Sequence, residues 1–197
     1  MINLSDYPIF ANHVSTLKET SLDTNDGQRK YMTQSSRDSI NFDEVKEEYV
    51  SGLRLSSNPK SSDALFDDGS GSIIFVEFKN GYMDSKKQFD VRKKVYDSLL
   101  IFTDITSTGI SNMRNTANFI LVYNESVNRR NTSDPELKKK QNSEVQPSLS
   151  FDNIAKTLGK YAKEEYICFG LKIFKDYCFK EVHTFTEDEF EAYLSTL

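Results

Sequence analysis

Hydrophobic positions in this chain fall into short blocks, and the clearest pair of blocks lies between Ser61 and Gly81. Residues 64–66 and 73–78 read as apolar strands joined by Asp67, Asp68, Gly69, Ser70 and Gly71. An Asp-Gly step and a second glycine between two such runs predict a β-hairpin. With the turn centred near Gly69 and Ser70, Asp63 falls opposite Val76 or Glu77. Strand side chains alternate faces, so Phe75, Glu77 and Lys79 point one way and Val76 and Phe78 the other. In the register that pairs Asp63 with Glu77, two carboxylates and a lysine gather on one face.

The pattern on either side predicts further elements. Asp6 caps a short helix with Pro8 in its first turn and Phe10, Val14 and Leu17 on one face. Residues 21–39 are polar and without period, which predicts a loop. Asn41 followed by acids opens a helix with Phe42, Val45 and Tyr49 on one side and Gly52 at its end. A short strand at 53–55 and a turn at Ser57, Asn58 and Pro59 lead into the hairpin. A second helix is expected over about 84–105, with Phe89, Tyr96, Leu99, Leu100 and Thr103 repeating at helical spacing. Residues 118–123 are almost continuously apolar, as in a buried strand. A polar insertion at about 125–149 follows, and stretches that long are usually mobile or functional. Ile154, Leu158, Tyr161 and Ala162 then mark a helix, 167–174 and 177–185 read as strands, and Thr186 with Glu189 forms a capping box for a last helix.

These elements predict a single α/β domain, residues 41–197, with a central mixed β-sheet flanked by helices and an N-terminal extension at 1–40. At 197 residues the chain is long enough for a full core, and 14 Phe and 10 Tyr supply it despite a low 37% apolar content. No apolar run reaches the roughly 18–20 residues of a membrane span, so no membrane partner is expected. The start lacks a basic-then-apolar leader pattern, which leads to an expectation of a cytoplasmic location, or of a domain from a longer secreted chain. Cys168 and Cys178 sit in apolar contexts without metal-ligand spacing and read as buried thiols. His13 and His183 are isolated in sequence.

Net charge is −5, which argues against a protein that coats nucleic acid, but Lys86, Lys87, Arg92, Lys93 and Lys94 cluster just after the hairpin. That cluster suits a phosphate backbone as ligand and equally an ordinary solvated helix face. Hard cations such as Mg²⁺ and Mn²⁺ prefer oxygen ligands, which Asp63, Glu77 and the backbone carbonyl of Phe78 could supply. Lys79 would stabilise charge building on a phosphate. The bland alternative is a same-face ion pair between Glu77 and Lys79 on a solvated sheet. The strand counts against it, because 73–76 is apolar on both faces.

An acid at the start of one strand, a hairpin, and an apolar strand ending in Glu77-Phe78-Lys79 resemble the PD-(D/E)XK nuclease superfamily. Its restriction-endonuclease-like core runs helix, three strands, helix, strand, in the order read here from Asn41 to Tyr123. The proline usual before the first acid is replaced by Ser62. The resemblance implies a divalent-metal-dependent nuclease acting on DNA or RNA, in defence, DNA processing or as a toxin domain. It implies Asp63 and Glu77 as ligands of Mg²⁺ or Mn²⁺, with Lys79 catalytic. A further ligand is expected from the preceding helix, where Glu44, Glu47 and Glu48 are available and Glu48 borders the apolar stripe. Gln88 and Arg92, one turn apart on the next helix, are the expected substrate contacts. The alternative reading is a non-catalytic module of the same fold that holds a protein partner, and a protein inhibitor is a further expected kind of partner.

Overall fold

The structure, a computed structural model, describes residues 2–24, 29–129 and 165–197. Its centre is a sheet whose strands are β1 (Val14–Thr16), β4 (Asp38–Asn41), β5 (Ala64–Asp67), β6 (Ile73–Lys79), β7 (Ala117–Tyr123) and β8 (Glu181–Thr186), in the spatial order β1-β4-β5-β6-β7-β8. A separate two-stranded ribbon pairs β2 (Leu22–Asp23) with β3 (Lys30–Tyr31). Pairing is antiparallel from β1 to β6, then parallel across β6–β7 and β7–β8. The sheet is mixed because β5 reaches β6 through a tight turn, whereas β6 reaches β7 through helices α4 (Ser85–Thr106) and α5 (Ile110–Thr116). Among the described residues, four further helices, α1 (Pro8–Ala11), α2 (Leu17–Thr20), α3 (Phe42–Ser51) and α6 (Glu125–Arg129), precede the last, α7 (Glu187–Leu194). Among the described residues no helix is long and apolar enough to cross a membrane.

Alternation along β6 divides the core. Phe75 packs with Phe42 and Val45 of α3 and with Val91, Val95, Leu99 and Phe102 of α4 on one side of the sheet. Ile74, Val76 and Phe78 pack on the other side with Leu17, Met32 and Phe190. Both faces of β6 and β7 are therefore covered, which accounts for their nearly unbroken apolar sequence. The hairpin turn works as its composition requires. Gly69 and Gly71 take φ of 82° and 93°, and the Asp68 carboxylate accepts from the backbone N–H of Ser70 and Ser72.

Several expected elements lie elsewhere. Within the expected extension at 1–40, β1 and most of β4 are strands of the main sheet. Val14 is in β1 rather than on a helix, and α1 starts after Tyr7, with Asp6 in a separate 3₁₀ turn capped by Asn3. Residues 53–55 form no strand, and Leu53 and Leu55 are exposed; the third antiparallel strand is β4, ahead of α3. On α4 the buried stripe is Val91, Val95, Leu99 and Phe102, while Phe89, Tyr96 and Leu100 face outward. Residues 167–174 contain a 3₁₀ turn, and positive φ at Phe169, Gly170 and Asp176 interrupts extension until β8. The insertion beyond Arg129 and the helix expected around Ile154–Ala162 lie outside the described residues.

The last helix follows its sequence signal. Thr186 accepts from the Glu189 N–H at 3.3 Å, and the Glu189 carboxylate accepts from the Thr186 N–H at 2.9 Å. This anchors the helix that buries Phe190 beneath Phe78, with ring centroids 5.7 Å apart. Thr186→Ala should cost about 1 kcal/mol. A thermal melt should fall by roughly 2–4 °C, and an unchanged midpoint would show the cap to be energetically idle.

Candidate active site

Asp63 is the last residue before β5, and its position is set by its neighbours on three sides. Its N–H donates to the Val76 carbonyl at 3.0 Å, and its carbonyl accepts from the Phe42 N–H at the start of α3. The preceding segment is fastened to α4. The Lys60 N–H donates to Asp97, and the Ser62 N–H to the Ser98 hydroxyl, at 2.7 and 2.8 Å. Ala64 pairs with Val76, so the register brings Asp63 beside Glu77. The Asp63 carboxylate also accepts from the Phe78 N–H at 2.7 Å, which orients it along the end of β6.

Glu77 lies on the α3–α4 side of the sheet and is fully buried. Its Oε1 is in ion-pair contact with the Lys79 ammonium and lies 2.8 Å from Lys94 Nζ. Two ammonium groups thus neutralise that buried oxygen by charge. Lys94 also donates to Glu77 Oε2 at 3.0 Å and to Asp63 Oδ1 at 2.9 Å. Lys94 thus stands where the two carboxylates meet, reaching them from α4.

The charges perturb one another strongly. Burial, and then the charge of Asp63, push the Glu77 carboxyl above its ordinary value, against the pull of Lys94 and Lys79. Burial works against the Lys94 charge, but Glu77 and Asp63 outweigh it and hold the ammonium well above the usual lysine range. The two directions are compatible, since Lys94 faces two carboxylates whereas Glu77 faces a second acid as well as lysines. Asp43, from the first turn of α3, accepts a hydrogen bond from the Ser61 hydroxyl and keeps a half-exposed side chain.

Asp43, Asp63, Lys79 and Lys94 line a cleft of about 1030 Å³ together with Lys30 and Lys87, while Glu77, fully buried, is not part of its lining. The ribbon formed by β2 and β3 contributes Leu22, Asp23 and Lys30 to the wall, so the N-terminal region helps build the cleft.

No family model, curated protein or solved structure matches this chain.

The remaining expected site residues are placed differently. Glu48 is 2.8 Å from Nε2 of His13 and Glu44 is 3.2 Å from Nδ1, so both acids serve that histidine rather than the cleft. The acid that α3 does present to the cleft is Asp43. Gln88 donates to the Met83 carbonyl at the start of its own helix. Arg92 reaches the Phe169 carbonyl, and a β-carbon at Gly170 would fall 2.3 Å from its guanidinium, so that pair is a packing contact. Neither lines the cleft, whose α4 wall is Lys87, Asp90 and Lys94. His183 is likewise not isolated, lying 2.6 Å from Glu165 and stacked on Phe185.

Sequence reasoning therefore passed over Lys94 and Asp43. One signal for Lys94 was available: once Val91, Val95 and Leu99 are taken as the buried stripe, Lys94 borders it and Lys86 does not. Asp43 sits one position after the first residue of α3, where an acid is ordinarily explained by the helix dipole.

The donor set suits a hard divalent cation. Asp63 and Glu77 supply carboxylates that converge on one point, where Lys94 now supplies the positive charge. No group of three or more His, Cys, Asp and Glu residues forms a cage among the described residues. A cation here would take two carboxylates and complete its shell with water, which is the manner of Mg²⁺ rather than of a structural metal.

Proposed function

We propose that this protein is a divalent-metal-dependent nuclease of the PD-(D/E)XK type, with a restriction-endonuclease-like arrangement of its sheet, hydrolysing phosphodiester bonds of DNA or RNA. The observation that carries the reading is the convergence of Asp63 and Glu77 on one point, with Lys79 in contact with Glu77, next to a cleft that Asp63, Lys79 and Lys94 line. The antiparallel β5–β6 hairpin followed by α4 and the parallel strand β7 matches part of that family's element order, the third antiparallel strand being β4, ahead of α3 rather than after it. The position of Ser62, locked to Ser98 of α4, supports it as well, because a residue held there fixes Asp63 without the usual proline.

Bound between Asp63 and Glu77, Mg²⁺ or Mn²⁺ would supply Lewis acidity toward a phosphoryl oxygen and lower the pKa of an attacking water. The chain's own groups do the rest. Asp63, held by the Phe78 N–H, and Glu77, held by burial, orient their oxygens before substrate arrives. Lys79 would oppose charge developing on the phosphate. Lys30 and Lys87 along the cleft offer further positive charge to a polyanion.

The test is incubation with supercoiled plasmid and with RNA, in Mg²⁺ or Mn²⁺ and in chelator. Metal-dependent cleavage of either polymer supports the reading. Failure to cleave any substrate, together with no metal uptake in calorimetry, would leave a binding module of the same architecture. A pH series adds a sign. Protonated Glu77 favours the folded chain fully below its ordinary value of 4.5, and this advantage is lost as pH rises through its raised folded value. A divalent cation binds the ionised form, so cleavage and the thermal stabilisation by Mn²⁺ should both grow with pH across that interval. A stabilisation by Mn²⁺ that is flat or falls with pH there would count against Glu77 as a ligand.

A further inference from the structure

Lys94 reaches from the middle of α4 to the point shared by the two carboxylates. Its Nζ is 2.9 Å from Asp63 Oδ1, 2.8 Å from Glu77 Oε1 and 3.0 Å from Glu77 Oε2. Its side chain is only 18% exposed, yet it lines the cleft. Its neighbours on the helix, Val91, Val95 and Ser98, are buried, so the backbone beneath it is fixed and the freedom that remains is in the four-carbon stem.

An ammonium at hydrogen-bond distance from three carboxylate oxygens occupies the position that a cation bound by those oxygens would take. Mg²⁺ requires oxygens at roughly 2.0–2.1 Å in near-octahedral arrangement. A second positive charge within a few ångströms, bound to the same lone pairs, is both sterically and electrostatically incompatible with that. We propose that Lys94 is a tethered counter-ion that competes with the divalent cation for Asp63 and Glu77. It holds the pair converged, and metal binding drives its ammonium toward the cleft. This rests on the reading of Asp63 and Glu77 as a metal site. It makes Lys94 a positioning residue, and it makes the metal affinity of the protein lower than the two carboxylates alone would give.

Lys79 does not share the role. It contacts Glu77 from the same strand but forms no ion pair with Asp63, so it does not stand between the two carboxylates as Lys94 does.

The experiment is Mn²⁺ titration of the full chain by calorimetry, paired with thermal melts at fixed excess Mn²⁺, on wild type, Lys94→Gln, Lys94→Arg and Glu77→Gln. Lys94→Gln should bind Mn²⁺ at least about tenfold more tightly than wild type, because the competing charge is gone. Its melt should be lower than wild type without metal and rise by more degrees when Mn²⁺ is added. Lys94→Arg, which keeps the charge, should stay at or below wild-type affinity. If Lys94→Gln unfolds too readily for calorimetry, the larger Mn²⁺-induced rise in its melting temperature is the deciding reading. Equal or weaker Mn²⁺ binding by Lys94→Gln overturns the competition. In that case, loss of Mn²⁺ binding in Glu77→Gln would show that the carboxylates are still a metal site. No Mn²⁺ binding by any of the four proteins overturns both ideas.

Discussion

Glu77→Gln will abolish metal-dependent cleavage, lowering the rate by about three orders of magnitude or more. A bound metal contributes several kcal/mol of transition-state stabilisation, and each 1.36 kcal/mol is a factor of about ten in rate. The amide has the shape of the acid but offers one weak oxygen where the site presents two ionised ones. The substitution also separates chemistry from folding. It removes a like charge beside Asp63 and leaves Lys94 its contact with Asp63, so the chain keeps its fold. Circular dichroism should be that of wild type while plasmid or RNA cleavage disappears. Cleavage within tenfold of wild type by the Glu77→Gln protein would remove Glu77 from the catalytic centre, and the functional reading with it.

The second large effect is on stability. Phe75 precedes Glu77 by one alternation on the same face of β6 and is fully buried. Its ring meets Phe42 of α3, Phe102 of α4 and Phe179 at centroid distances of 5.7, 5.3 and 5.7 Å, all edge-on. Three elements that position Asp63, Lys94 and Glu77 therefore touch at one side chain. Phe75→Ala should cost about 3–5 kcal/mol, through lost transfer energy and the cavity left among rings that cannot collapse together. The melting temperature should fall by roughly 10 °C or more. Phe89→Ala is the contrast, since Phe89 is 66% exposed and its removal should change stability by no more than about 0.5 kcal/mol. Comparable losses from the two variants would mean that Phe89 is covered in the folded protein.

That contrast marks the boundary of what periodicity alone could say. On α4 both Phe89–Tyr96–Leu100 and Val91–Val95–Leu99 repeat at helical spacing, and size favours the aromatic set. The valines won because β6 and β7 present a wall of large side chains, and small β-branched residues let the helix approach it. The same choice of phase turned Lys94 inward and left Gln88 and Arg92 outside the cleft. Strand β4 was missed for a related reason. Its sequence, Asp-Ser-Ile-Asn, has little strand character, and it exists because the unpaired edge of β5 gives it backbone partners.

Local chemistry sufficed for other parts. Asn41 accepts from the Glu44 N–H to open α3, Asp84 accepts from the Lys87 N–H to open α4, and the Thr186 box opens α7. The glycines and Asp68 of the hairpin set a turn, the turn set a register, and the register set Asp63 beside Glu77 with Lys79 on the same face. Each of these steps involves groups within a few residues, or across a short loop, so it is legible in a linear string. The sequence by itself thus determined the acid pair and the lysine that follows it. Only the tertiary structure decided what stands between them. Lys94 is seventeen residues from Glu77 and thirty-one from Asp63. Its place depends on how a long helix is rotated as it packs across the sheet, and packing over the whole helix fixes that rotation where no local residue can.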